Sequence, residues 1–481
     1  MTIAFPALKK TLWQMLGPSI ILVALSLSGG EMLLWPNLSA NFGLNILWPI
    51  PIILLLQFFV NIEIERYTLV TGKSVEESLV GSTKWLAAIF ALTVLVALVW
   101  PAWITTSGNL LAYVFGLSGD ALRNTGLVLS IALLFATVII FRRPQTYKIL
   151  EKMARVSLCI TLIIIFLIVG IKFDFALFVE GLKGFFHFGY IPTSISRFDF
   201  VAALAYGGVS GVLNLVQSEW IKDKGYGVNS LSEAEKKNIE LDSIESKKNY
   251  KKWFSMINKE HFFIYVLANF FSIFLLAYLG RLLLPLGSAQ GFQVLTAEID
   301  VLNASLPYLG LLFALSGTII FIMANITILD AIGRLVYRLI TPFRIKKSTS
   351  GVSRFMSSLS SSRISEYSVY LGVVILLLSL LIPSFKQPFF LLVISASLSA
   401  FTMWIYPPLL LKINFGLPEV ARPSALRSLF VILTTLFYGA ITLWALSAYI
   451  PMWAVFLLGL LVSIYHVVTL FSIKHESHRE K

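Results

Sequence analysis

Two short stretches decide how this chain is read: Ser26-Leu27-Ser28-Gly29-Gly30-Glu31 and Tyr206-Gly207-Gly208-Val209-Ser210-Gly211. Each interrupts an apolar run long enough to cross a bilayer, and each places two or three glycines inside it. Glycine weakens a helix by about 1 kcal/mol relative to Ala, so such a cluster at mid-membrane depth predicts unwinding. Unwound backbone survives there only where protein or a water-filled cavity covers it. It frees carbonyls that can hold a cation and N–H groups that can hold an anionic group. Close helix packing explains a single cluster of small residues equally well. Two clusters in matching positions favour a binding site.

Working outward, 57% of the 481 residues are hydrophobic and 13% are charged, against about 25% charged in soluble chains. With a mean hydropathy of +0.83, much of that surface must face lipid. Runs such as 86–100, 125–141, 156–171, 262–278 and 454–471 are continuous rather than alternating. They read as membrane helices and not as barrel strands. The expected fold class is all-α integral membrane protein, with helices at 15–41, 44–68, 84–116, 121–142, 153–173, 197–220, 260–281, 304–338, 364–384, 387–412, 424–448 and 450–473. Helices 1–5 (1–173) and 6–10 (197–412) form two sets. Because five is odd, the second set enters from the opposite side, and the two glycine stretches fall in the first helix of each set. Interruptions at equivalent positions of inverted repeats point to a central transport site. Helices 11–12 (424–473) and a tail (474–481) lie outside the repeat.

Alternating the sides of twelve helices puts 32 of the 38 Lys and Arg on the side of the termini; the others are Arg123, Lys172, Lys183, Arg197, Arg281 and Lys386. The positive-inside rule then places both termini in the cytoplasm of a multi-pass cell-membrane protein. The net charge of +13 is loop charge facing anionic lipid and needs no nucleic-acid partner. The single cysteine, Cys159, excludes an intramolecular disulfide framework and reads as an inert buried thiol. The cytoplasmic loop 221–260 carries nine Lys and seven acidic residues and reads as a solvated, partly helical connector.

Ionisable groups inside a membrane are functional candidates by default. Glu31, at the first interruption, can bind a cation directly or carry a proton. Ser28, Gly29, Gly30 and Glu31, with Tyr206, Gly207, Gly208, Ser210, Gly211 and Asn214, form the expected substrate or ion site. Glu31 and Ser28 are its metal-ligand candidates. Glu63, Asn109, Gln217, Asn325 and Asp330 are candidates for coupling or gating. Asp330 and Arg334, spaced i, i+4, are placed to pair, and Arg66 is expected to reach the membrane interface. The five histidines are scattered, and no P-loop, nucleophile elbow or Cys/His metal motif occurs. The chain therefore reads as a gradient-driven monomeric transporter and not an enzyme. It needs no cofactor beyond a bound divalent cation, or Na⁺ or H⁺ as coupling ion.

Gly17-Pro18, the 28–31 stretch, Phe42-Gly43, Leu47-Trp48, Thr71-Gly72-Lys73 and Asn214-Leu-Val-Gln217-Ser218 resemble the Nramp family of divalent metal transporters. The resemblance implies a LeuT-type fold of the APC superfamily: a 5+5 inverted repeat plus two helices, with metal symported with protons by alternating access around unwound helices 1 and 6. Typical members carry Asp-Pro-Gly-Asn and Met-Pro-His where this chain has Ser28-Gly29-Gly30-Glu31 and Ser210-Gly211-Val212, so it resembles a divergent branch. Without the soft Met sulfur, the remaining oxygen ligands favour Mg²⁺- or Mn²⁺-like ions. An ion-coupled transporter of a small organic solute and a transport-inactive membrane sensor or scaffold stand as alternatives.

Overall fold

Lipid offers the backbone no hydrogen-bond partner, so the apolar runs close their own hydrogen bonds as helices. The computed structural model describes residues 3–82, 84–94, 98–143, 146–341, 358–379 and 388–479. Among them, ten helices are long and apolar enough to cross a membrane. These are helix 1 (Pro18–Phe42), helix 2 (Leu44–Thr71), helix 4 (Gly119–Phe141), helix 5 (Thr146–Lys172), helix 7 (Ile244–Leu283), helix 8 (Leu309–Ile340), helix 9 (Ser361–Leu378), helix 10 (Leu392–Phe415), helix 11 (Ala425–Leu446) and helix 12 (Met452–Leu470). The other two expected spans are each in two pieces. Helix 3 is Lys84–Thr93 and Ala102–Val114. Helix 6 is Arg197–Tyr206 (6a) and Val212–Lys224 (6b). Twelve crossings bring both termini to one face, here called the near face.

Helix 1 is the axis. Its apolar window is 100% buried inside the protein, whereas that of helix 12 is 17% buried. The exposed side chains of the outer helices, among them Ile163, Phe166, Leu436 and Phe456, form the lipid-facing surface of an integral multi-pass membrane protein. Cys159 lies on that outward surface of helix 5, not in the interior as expected.

Three other expectations are corrected. Helix 1 does not unwind at 28–31. It widens into a π-helical segment, Leu27–Leu34, in which the Trp35 N–H donates to the Gly30 carbonyl five residues back. Such a widened turn absorbs one extra residue without breaking the helix. The 221–260 segment is not a solvated connector. Ile239–Glu240 pairs in parallel with Ile3–Ala4, and helix 7 begins at Ile244, sixteen residues before its expected start. Its charged first turns bury Ser246, Asn249, Tyr250, Trp253, Ile257, Glu260 and His261 along one stripe. The helix that begins at Met452 runs to Arg479, so most of the expected tail is helical.

Candidate functional site

The two glycine stretches meet at the centre of the fold, but each does so differently. In helix 6 the chain leaves helical geometry after Tyr206 and re-enters it at Val212. Gly208 (φ 124°) and Gly211 (φ 74°) take left-handed backbone conformations there, which L side chains rarely adopt. In helix 1, Gly30 is required by closeness. A Cβ on Gly30 would fall within the Tyr206 carbonyl group, and one on Gly29 would lie 3.0 Å from Trp103 Nε1. The carbonyl end of 6a, which carries partial negative charge, thus points at the glycine face of helix 1.

Side chains from helices 2, 7, 10 and 11 hydrogen-bond at the break. The Val209 N–H donates to Tyr265 Oη (2.8 Å), and Tyr265 Oη donates to Gln57 Oε1 (2.5 Å). Gln57 Nε2 donates to Tyr438 Oη (2.8 Å) and to the Ala205 carbonyl (3.4 Å). Tyr206 Oη and Ser395 Oγ on helix 10 are 2.7 Å apart. Between the two stretches lies a cavity of about 10 Å³ lined by Leu25, Ser26, Gly29, Gly30, Trp103, Tyr206, Gly208, Val209 and Leu213. About one water molecule fits in such a space.

Glu31, Ser28 and Ser210 do not line that cavity. Glu31 is fully buried and faces helix 7, where Ser272 Oγ donates to its Oε2; its Oε1 has no hydrogen-bond partner. Nearby, Ser26 Oγ donates to Asn269 Oδ1 (2.7 Å), which leaves Asn269 Nδ2 unpartnered. Ser28 Oγ donates to the Leu25 carbonyl of its own helix (2.7 Å). The Ser210 and Ser399 hydroxyls are buried without partners at the contact of the break with helix 10.

The remaining candidates are dispersed. Asn109 packs against Gly126 of helix 4, where it stitches helices 3 and 4. Glu63 is held by Arg66 (2.8 and 3.1 Å) and Asn414 (3.0 Å). Arg66, expected at the interface, is buried beside it and also donates to Tyr250 Oη and the Ala421 carbonyl. Asn325 is buried on helix 8 with an unpartnered Nδ2. Asp330 accepts from Arg334 (2.7 Å) and from Trp220 Nε1 on 6b (3.1 Å).

Asn214 and Gln217 lead to a polar layer that the sequence reading did not find. Asn214 Nδ2 donates to Asn61 Oδ1 (2.6 Å), Asn61 Nδ2 lies 3.1 Å from His261 Nε2, and Gln217 Nε2 donates to Glu65 Oε1. His261 Nδ1 lies 2.9 Å from Ser19 Oγ, which donates to Glu260 Oε2 (2.5 Å). Ser19, Asn61, Glu65, Asn214, Gln217, Glu260 and His261 are each at most 2% exposed. The readable signal was Glu260-His261 at the head of an apolar run. Placing the start of helix 7 at residue 260 put the pair at the membrane surface, whereas it lies four turns inside a longer helix.

No family model matches the chain, and no curated protein matches it. Solved structures do. A mutant of the Eremococcus coleocola manganese transporter superposes with a TM-score of 0.68 at 12% identity, covering 100% of this chain and 98% of that one. The same transporter bound to an aromatic bis-isothiourea compound gives 0.66 at 10% identity. Mhp1, a nucleobase-cation-symport-1 family transporter in a closed conformation with bromovinylhydantoin bound, gives 0.52 at 12% identity over 93% of this chain and 96% of that one. The fold is LeuT-type. In a LeuT-type protein helices 1 and 6 open the two inverted repeats, and here they cross at the cavity just described.

Proposed function

We propose that the chain is a secondary active transporter, not an enzyme, that moves a divalent cation of Mg²⁺- or Mn²⁺-like type coupled to protons. Both termini are cytoplasmic, and helices 1 and 6 provide alternating access. One observation carries this reading: the break in helix 6 closes on the glycine face of helix 1 around a space of about 10 Å³. That space accepts an ion or one water, and no organic solute. A helix carbonyl terminus stands at it, and the Glu31 carboxylate, one residue beyond Gly30, faces helix 7 behind it with one free oxygen. Hard oxygen ligands of this kind suit Mg²⁺ and Mn²⁺. Similarity to a manganese transporter supports the reading. The aromatic walls, Trp103 and Tyr206 with ring centroids 6.2 Å apart, support a second one, in which another conformation opens to a planar organic solute.

Uptake of Mn²⁺ and Mg²⁺ into proteoliposomes under an imposed proton gradient tests this. Uptake above protein-free vesicles is expected, with Glu31→Gln lowering it at least about tenfold, the equivalent of 1.4 kcal/mol. No divalent uptake, with uptake of an aromatic heterocycle in its place, would establish the second reading. Uptake of neither would leave a sensor or scaffold.

A further inference from the structure

Helix 2 carries two buried glutamates that the fold treats in opposite ways. Glu63 is enclosed by Arg66, Asn414 and, at 3.7 Å, Arg427. Glu65, half a turn on, faces the other way and forms no ion pair with a Lys or Arg among the described residues; neither does Glu260. Buried carboxylates in proteins are normally paired with cations or coordinate metals.

What surrounds Glu65 is a set of side chains whose chemistry can ligate a metal. Single ligand atoms of Glu65, Glu260 and His261 all lie within 4.8 Å of one another, with His261 Nδ1 3.3 Å from Glu65 Oε1. Two ligands each about 2.2 Å from one ion stand at most about 4.4 Å apart, so small side-chain adjustments suffice for convergence. Four fully buried oxygens here have no hydrogen-bond donor: Glu65 Oε2, Glu260 Oε1, and the amide oxygens of Gln217 and Asn214. Gln217 is the independent pointer. Its amide nitrogen is on Glu65 Oε1, which leaves its unpartnered carbonyl beside the same carboxylate.

We infer that Glu65, Glu260 and His261 form a second, buried binding site for a first-row divalent transition ion, between helices 1, 2, 6b and 7. Two carboxylates neutralise a dication. The imidazole nitrogen separates this site from the all-oxygen chemistry of Mg²⁺ and Ca²⁺ and places it in the range from Mn²⁺ to Zn²⁺. His261 Nδ1 faces the carboxylates and would be the ligand atom, displacing Ser19 Oγ, while Asn61 on Nε2 supplies the outer contact that orients a metal-binding histidine. Gln217 is six residues past Gly211, about 9 Å along the helix at 1.5 Å per residue. The site therefore stands on the near-face side of the central junction, where an ion leaving it would pass. The assignment does not rest on the transport reading.

The test is Mn²⁺ binding to purified full-length protein, followed by electron paramagnetic resonance. Compared are wild type, Glu31→Gln, His261→Asn and the double variant Glu65→Gln/Glu260→Gln, which keeps side-chain shape. Expected is a bound Mn²⁺ with nitrogen hyperfine coupling in wild type and in Glu31→Gln. The coupling disappears in His261→Asn. Affinity falls about 100-fold or more in the double variant, since even outer partners of metal ligands are worth 10–100-fold. Any of three results overturns the site: no nitrogen coupling in wild type, coupling that survives His261→Asn, or unchanged affinity in the double variant. Mn²⁺ uptake in vesicles without that coupling would overturn this site and leave the transport reading standing.

Discussion

Glu298 lies in the helix Phe292–Ser305 on the far face, outside the membrane spans. It is 1% exposed, and neither carboxylate oxygen has a donor. Burial holds its proton affinity well above the ordinary carboxylate value of 4.5. The sign of the consequence is fixed by linkage: the folded protein keeps a proton that the unfolded chain releases. Stability is full below pH 4.5 and is lost progressively as pH rises toward the folded value, by up to about 1.4 kcal/mol per pH unit. Glu298→Gln removes the titration. Its melting profile in detergent should coincide with wild type at acid pH and lie increasingly above it as pH rises past 4.5. Parallel profiles would show that Glu298 is solvated in the native state. Nothing in the sequence singled out Glu298, because a lone glutamate in a polar far-face segment carries no pattern that signals burial. Glu31 was legible because an apolar run surrounds it, yet its direction was not: facing helix 7 rather than helix 6 depends on the wider turn of the π segment.

Among elements, the least legible was the first half of helix 7. Its Lys residues exclude it from any apolar window, but the buried stripe Ser246, Asn249, Tyr250, Trp253, Ile257 and Glu260 recurs at helical spacing. The stripe holds the N-terminal strap. Phe5 is 1% exposed, with its ring 5.9 Å from that of Tyr250. Its N–H donates to Ser246 Oγ (2.8 Å), and its carbonyl accepts from Asn249 Nδ2 (2.9 Å). Trp253 Nε1 donates to the Pro6 carbonyl (3.0 Å). Removing a buried Phe ring costs about 3–5 kcal/mol. Phe5→Ala should therefore raise amide hydrogen exchange through 239–257 by two or more orders of magnitude while the central helices keep their protection. Unchanged exchange there would mean that the strap decorates a segment already stable without it. The glycine breaks were legible as a pair, since two interruptions at matching places stand out against apolar runs. What separates a π segment from an unwound one was not, because it depends on how closely the Tyr206 carbonyl approaches Gly30.

At the scale of the whole molecule, the alternating access proposed above would require 6b to part from its neighbours on the near face, and a band of ion pairs resists that. Arg334 bonds Asp223 of 6b (2.7 Å) as well as Asp330, and Arg338 bonds Glu219 of 6b (2.7 Å) and Glu77 (3.2 Å). Lys224 of 6b bonds Glu151 of helix 5 (2.7 Å). These pairs are partly buried, with Arg334 at 12% side-chain exposure, so they are screened less than surface pairs. Replacing Arg334 and Arg338 by Ala leaves Glu219 and Asp223 without their cross-helix partners and biases the equilibrium toward a near-open form. Couplings of this kind amount to about 1–3 kcal/mol, or 5–150-fold in population. The reporter is Ser210→Cys in a Cys159→Ser background, since the Ser210 hydroxyl is buried and unpartnered at the break. A membrane-impermeant thiol reagent applied from the near face should label it at least about fivefold faster when both arginines are removed. An unchanged rate would place the near-face barrier elsewhere. Two contacts at the foot of 6b would then remain to be released before helix 6 could move: the Lys224–Glu151 pair (2.7 Å) and the Lys10 contact with the Lys224 carbonyl (2.7 Å), which ties the N-terminal segment across it.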